Sequence, residues 1–124
     1  MRALAFFLLT AAPAFAVEVS NCEVELRGSL QMALLTCDYR NNGAQTVDTI
    51  RMHAFARSEG RAVEWSKERV DFAVPGGIEP GETVREVVYL TKPLPERAAG
   101  FDVRYDIEVW QVLGADGSIL ESAE

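Results

Sequence analysis

Apolar and polar residues alternate with a period of two along most of this chain, the spacing that puts successive side chains on opposite faces of a strand. From Val47 to Arg57, Ile50, Met52, Ala54 and Ala56 fall on one face and Thr49, Arg51, His53, Phe55 and Arg57 on the other. Phe101 to Leu113 is the longest such run, with Phe101, Val103, Tyr105, Ile107, Val109, Gln111 and Leu113 alternating against Asp102, Arg104, Asp106, Glu108, Trp110 and Val112. Val17–Arg27 and Gln31–Arg40 are also strand-like, joined through Gly28-Ser29. Ala62 to Val74 is less regular. Val63 and Trp65 are odd, Val70, Phe72 and Val74 are even, and the period fails across Ser66–Arg69. That failure predicts a bulge or strand break, a place for the chain to change sheets. Thr83–Thr91 carries Val84, Val87, Val88, Tyr89 and Leu90 at both parities, which predicts burial on both sides toward its end.

Turn chemistry separates these runs. Asn41-Asn42-Gly43-Ala44-Gln45, Ser58-Glu59-Gly60-Arg61 and Gly114-Ala115-Asp116-Gly117 supply residues that tolerate tight backbone. Pro75-Gly76-Gly77-Ile78-Glu79-Pro80-Gly81-Glu82 reads as a loop that neither a helix nor a central strand accommodates. Lys92-Pro93-Leu94-Pro95 is an extended connection, Glu96–Gly100 has room for one helical turn, and Ser118–Glu121 ends the series as a short strand. Roughly six or seven short strands and no mature helix predict an all-β fold, an antiparallel immunoglobulin-like β-sandwich. No repeat or linker divides the chain, so residues 17–124 are expected to form one domain.

The first sixteen residues break this pattern. Arg2 is a short positive region, Ala3–Ala12 an apolar stretch ended by Pro13, and Ala14-Phe15-Ala16 places small residues where a signal peptidase reads them. Residues 1–16 are therefore expected to be a cleaved signal peptide. A spanning helix needs roughly 20 apolar residues, more than this stretch supplies, so no membrane span is expected after cleavage. Val17 rather than Cys follows the cut, which argues against a lipid anchor. The absence of an Asn-x-Ser/Thr sequon and the brevity of the leader favour a bacterial periplasm, with an extracellular destination next.

An exported protein meets oxidising conditions, and Cys22 and Cys37 are its only cysteines. A hairpin folded midway between Ser29 and Leu30 sets Cys22 directly opposite Cys37, at a Cα separation that a disulfide accommodates. The same register pairs Val24 with Leu35 and Leu26 with Ala33 on one face, and Glu23 with Thr36 and Glu25 with Leu34 on the other. The pair lacks the Cys-x-x-Cys spacing of a redox site, so a structural cross-link worth about 3 kcal/mol is expected.

The chain holds 12 Lys and Arg against 19 Asp and Glu, a net charge of −7. Loss of Arg2 with the leader leaves 11 cations against 19 anions, or −8. Such a body is repelled by nucleic acid and by anionic membranes. His53 is the single histidine, so a multi-imidazole metal site is excluded within one chain. Met52 beside His53 offers copper(I) ligand types, but strand neighbours point to opposite faces. No Gly-x-Ser-x-Gly elbow marks a hydrolase. Asp102, Asp106 and Glu108 alternate with Arg104 as a solvated sheet face does, so their carboxylates are not expected to act as an acid/base pair. No catalytic, cofactor-binding or metal-binding residue is assigned. Trp110, Val112, Trp65, His53 and Phe55 share faces with charged residues and are the candidate interface residues.

Thr36 to Leu90 resembles the small exported immunoglobulin-like domains of the FxLYD-like type. The resemblance rests on Asn41-Asn42-Gly43, the strand Ile50–Ala56, the turn Glu59-Gly60, and Ile78-Glu79-Pro80-Gly81-Glu82 opening the next strand. No Leu-Tyr-Asp string follows Phe55, where Ala56-Arg57-Ser58 stands instead. The resemblance implies a sandwich with a binding or accessory role and no catalytic residue. The expectation is an exported, non-enzymatic protein-binding or scaffold module of a periplasmic or envelope complex, with another exported protein as partner. A small-ligand or copper carrier is the alternative, and a hydrolase with an unrecognised site a weaker one.

Overall fold

A computed structural model describes residues 15–27 and 32–123. Most of the expected leader, residues 1–14, and the expected turn at Gly28-Ser29 lie outside the described residues. The described residues form seven strands: β1 (Val17–Arg27), β2 (Met32–Asn41), β3 (Val47–Arg57), β4 (Ser66–Ile78), β5 (Thr83–Leu90), β6 (Arg104–Gly114) and β7 (Ile119–Ser122). A 3₁₀ turn, Glu96–Gly100, interrupts the β5–β6 connection as expected. The strands build two antiparallel sheets, β1-β2-β5 and β4-β3-β6-β7. The fold is thus an all-β sandwich with the expected immunoglobulin-like plan. Among the described residues no helix is long and apolar enough to cross a membrane.

The core lies between the sheets. Leu35, Cys37 and Tyr39 of β2 face Ile50, Met52 and Ala54 of β3, closed by Val74, Ile78, Val88 and Leu90. A second small cluster, Ala56, Leu94 and Ala98, plugs one end, with Trp65, Val103 and Tyr105 packed against it. Polar satisfaction fixes the other end. Buried Asn41 donates its amide to the Gln45 and Ile78 carbonyls at 2.8 and 2.9 Å and accepts from Gly43 N–H at 2.8 Å. One side chain thereby ties the β2–β3 turn to the end of β4.

The first hairpin holds the mirrored register from Glu23 to Arg27, pairing Val24 with Leu35 and Leu26 with Ala33. Cys22 and Cys37 are disulfide-bonded, their Cα atoms 4.1 Å apart. Beyond them the register slips by one, because Asn21 and Cys22 together oppose Cys37. Asn21 takes a left-handed φ of 51°, a conformation Asn tolerates better than most residues. Its side chain donates to Asp38 at 2.9 Å, and Arg85 reaches the same carboxylate at 2.9 Å from β5. These bonds, Asn21 first and then Arg85, hold the Asp38 carboxyl below its usual range.

Five expectations change, the last of them in β6. The period failure near Ser66 is where β4 begins, with a loop before it, and the chain does not change sheets there. Pro75-Gly76-Gly77-Ile78 is not a loop but the bulged end of β4, which an edge strand allows. Gly77 is required in that bulge: its φ is +69°, and an added Cβ would stand 3.0 Å from the Val47 carbonyl oxygen. β5 buries only Val88 and Leu90; Val87 and Tyr89 face solvent because, among the described residues, no third layer covers that sheet. Phe101 lies before β6 and is exposed, its ring tilted against Trp65 rather than facing the core.

The most consequential change is in β6. Val109 pairs with Met52 and Gln111 with Arg51, which leaves Trp110 as an extra residue with no partner on β3. This bulge reverses the facing of everything after it. Val112, expected on the charged face, is 1% exposed and belongs to the core. It is therefore withdrawn from the candidate interface.

Candidate functional site

The outer face of the four-stranded sheet gathers three of the five candidate residues. Register sets them in rows across β4, β3 and β6: Asp71–Arg51–Gln111, Arg69–His53–Glu108, and Lys67–Phe55–Asp106. The β6 bulge turns Trp110 onto this face, between the first two rows. Its indole stacks on His53 at 6.0 Å with the planes 17° apart, and His53 in turn meets Phe55 at 6.1 Å. Three rings from two strands make a continuous aromatic strip.

Cations cover the strip. Arg69 lies over Trp110 at 4.8 Å and Arg51 at 6.0 Å, while Arg57 and Lys67 lie over Phe55 at 4.6 and 5.6 Å. Each contact is an attraction of cation for ring quadrupole, worth about 0.5–1 kcal/mol at an exposed site. Carboxylates and amides fix the guanidinium planes: Arg51 donates to Gln111 at 2.6 Å, Asp71 sits between Arg51 and Arg69, and Arg57 pairs with Asp106 at 3.1 Å. The Trp110 Nε1 is buried without a hydrogen-bond partner among the described residues.

The face carries Arg51, Arg57, Lys67, Arg69 and Arg104 against Asp71, Asp106 and Glu108. It is net positive on a protein whose net charge is −7. Arg57 and Arg104 stand directly opposite each other, a like-charge pairing that costs stability in a sheet. The arrangement offers flat, held guanidinium groups beside half-buried rings, which suits contact with carboxylates and apolar side chains of another protein.

Trp65 does not join this strip. It sits at the β3–β4 end, its Nε1 donating to Ser58 at 2.8 Å, with Arg61 over its ring at 4.0 Å and Phe101 5.2 Å away. Arg51 and Arg57 share the outer face of β3 with His53 and Phe55 as the alternation predicts, whereas the sequence pattern missed Lys67 and Arg69, because they come from β4 and its register depends on where β4 starts. Asp106 is tied to Arg57 and Glu108 stands opposite His53, so the β6 carboxylates belong to a charged sheet surface.

Met52 is 1% exposed and points into the core, whereas His53 is on the outer face. The two cannot grip one ion. Two surface depressions lie at the opposite end of the sandwich. One, of about 170 Å³, is lined by residues including Asn41, Gln45, Leu120 and Glu121. The other, of about 480 Å³ and open to solvent, is bounded by residues including Thr46, Glu79, Pro80 and Asp116. Neither combines enclosure with converging polar groups, the features of a small-molecule site. Comparison with known proteins returns no match for this chain: no family model, no curated protein and no solved structure is similar to it.

Proposed function

We propose that this protein is an exported, non-enzymatic binding module, an accessory or scaffold subunit of a periplasmic or envelope complex. The observation that carries the reading is the strip His53–Trp110–Phe55 under its cations, a half-buried and ordered aromatic surface on an otherwise acidic domain. Aromatic and arginine side chains dominate binding energy at protein interfaces, and rings already held in place lose little freedom on contact. The disulfide is compatible with an oxidising compartment, and the leader sequence directs the chain there. The turn plan shared with exported immunoglobulin-like domains of the FxLYD-like type agrees with an accessory role.

The test is cross-linking in the periplasm of cells expressing the protein, comparing the wild-type chain with Trp110→Ala and Phe55→Ala. The reading expects one defined cross-linked partner that both variants lose while still folding. Undiminished capture by the folded variants overturns this face as the contact surface.

A further inference from the structure

Charge is not balanced evenly along the outer face of the four-stranded sheet. At the Trp110 end, Arg51 and Arg69 share Asp71, and Glu108 completes the row of Arg69 and His53. At the other end, register sets Lys67, Phe55 and Asp106 in one row and Arg57 opposite Arg104 beside it. The one carboxylate in those two rows, Asp106, is already held by Arg57 at 3.1 Å. Lys67 and Arg104 are exposed and make no ion pair with any described residue. Glu68, beside Lys67 in sequence, spends its carboxylate on the Thr91 and Lys92 N–H groups at 3.2 and 3.0 Å. The Lys92 ammonium donates to the Lys67 carbonyl at 3.0 Å and adds a further cation to this corner.

The charge of Arg104 works against the free fold. Its direct partner is Arg57, and like charges facing each other across a strand pair are destabilising. Arg57 is bound to Asp106 and lies over the Phe55 ring at 4.6 Å, so it is held in place. Arg104 keeps its guanidinium fork open for a carboxylate. Lys67 has Phe55 as its neighbour, its ammonium 5.6 Å from the ring. Two uncommitted cations thus flank the Phe55 end of the strip, one on β4 and one on β6, with β3 between them. Two strand spacings and a two-residue offset put their backbones roughly 12 Å apart.

We infer that the Phe55 end of this face receives acidic side chains of a second exported polypeptide, with Lys67 and Arg104 taking the carboxylates. The inference rests on the protein-binding reading and names the partner chemistry of the same face. An extended segment covers the distance between the two cations in three or four residues, which sets the spacing of its acidic positions. The ring faces of Phe55 and Trp110 already lie under cations, which leaves none bare for a sugar to stack on. A nucleic acid or an anionic lipid surface presents charge over a broad area. It would also meet Asp71 and Glu108 and the acidic remainder of a chain of net charge −7. A short acidic segment meets the cationic corner alone. Charge complementarity of this kind selects the partner and speeds its arrival.

The experiment titrates the exported, disulfide-bonded protein with two synthetic octapeptides of serine and glycine, one carrying glutamate and the other lysine at every third position. Amide shifts in nuclear magnetic resonance spectra read the site. The glutamate peptide is expected to move the amides of Phe55, Arg57, Lys67 and Arg104, and the lysine peptide to bind about tenfold or more weaker. The double variant Lys67→Gln, Arg104→Gln should weaken the glutamate peptide about tenfold or more. The control Arg61→Gln, Arg97→Gln removes the same charge beside Trp65 and should change it by about twofold or less. Arg104→Gln alone should melt no lower than the wild type, because it relieves the facing arginines. A clearly lower melting temperature makes Arg104 a structural residue and overturns its role. Equal binding of the two peptides, or an equal loss in the control, overturns the inference. Retention on phosphatidylglycerol vesicles that only Lys67→Gln, Arg104→Gln abolishes overturns it in favour of a membrane surface. A dimer that the same double variant dissolves overturns it in favour of a second copy. A periplasmic cross-link that Trp110→Ala loses but Lys67→Gln, Arg104→Gln keeps, with no peptide response, sinks the acidic partner and leaves the binding function standing.

Discussion

His53 and Trp110 stack across β3 and β6 with their planes 17° apart, although Trp110 is the residue of β6 that no residue of β3 opposes. The two facts are one. An extra residue in a strand cannot enter the ladder, so its side chain is re-aimed, and here it is laid over the neighbouring histidine. The same extra residue sends Val112 inward. A single insertion thus makes the aromatic strip and completes the core beneath it.

Trp110→Ala therefore removes ring stacking and two cation–ring contacts but no core packing. The expected cost is about 1–2 kcal/mol, seen as a small fall in melting temperature with unchanged far-ultraviolet circular dichroism. Partner capture should be lost. A loss of stability well above 3 kcal/mol would mean that Trp110 is a core residue and not a surface one.

The bulge makes a paired test at the next two positions. Val112→Glu places a charge in the core and should abolish folding or cost more than about 3 kcal/mol. Leu113→Glu, on the opposite side of the strand, should fold with a smaller loss. Unbroken alternation from Phe101 demands the reverse order, so chemical denaturation of the two variants decides between the two geometries.

The contrast shows what the residue pattern carries and where it stops. Strand β3 alternates cleanly, and all its inward residues are buried as read. The mirrored cysteines are a relation between two positions, and it survives folding. The β6 bulge is different. Trp110, Gln111 and Val112 keep a plausible alternation either way, so only pairing against β3 reveals the slip. Two of the cations over the strip, Lys67 and Arg69, lie on β4, and their placement needs the β3–β4 register. β5 shows a further limit: apolar residues at both parities mean double burial only if another layer exists to cover them. Among the described residues no such layer lies over Val87 and Tyr89, which leaves Tyr89 61% exposed.

Asn41 is the buried polar residue whose loss should cost most. Its two amide protons and its carbonyl oxygen are all used, in a place that water does not reach. Asn41→Ala strands the Gln45 and Ile78 carbonyls and the Gly43 N–H, and should cost about 3 kcal/mol in urea unfolding. Asn41→Asp should cost at least as much at neutral pH, because a carboxylate would face two carbonyl oxygens.

The native protein should show no reactive thiol, and two after reduction, when titrated with a thiol reagent. Cys22 is exposed and Cys37 buried, so the reductant has access from the β1 side. Cys22→Ser with Cys37→Ser should lower stability by about 3 kcal/mol on the chain-entropy estimate for a short loop. Native protein from the periplasm with two titratable thiols would sink both the cross-link and its place in the hairpin.

Tyr39 should set the alkaline limit of the fold. Its hydroxyl is buried beside the Phe72 ring with no hydrogen-bond partner among the described residues. Burial, aided by the charge of Glu86, pushes its pKa up from 10.0 to about 12. In the unfolded chain the phenol gives up its proton near 10, so between 10 and 12 the unfolded state binds fewer protons than the folded one. Stability contributed by the neutral phenol is complete below pH 10 and is lost as the pH rises toward 12, at up to about 1.4 kcal/mol per pH unit. Tyr39→Phe removes the titrating group and the unsatisfied hydroxyl together. It should unfold at higher pH than the wild type and be equally or more stable at pH 7, as read by denaturation across the alkaline range. An unchanged alkaline midpoint would show that Tyr39 is not the group that limits the fold there.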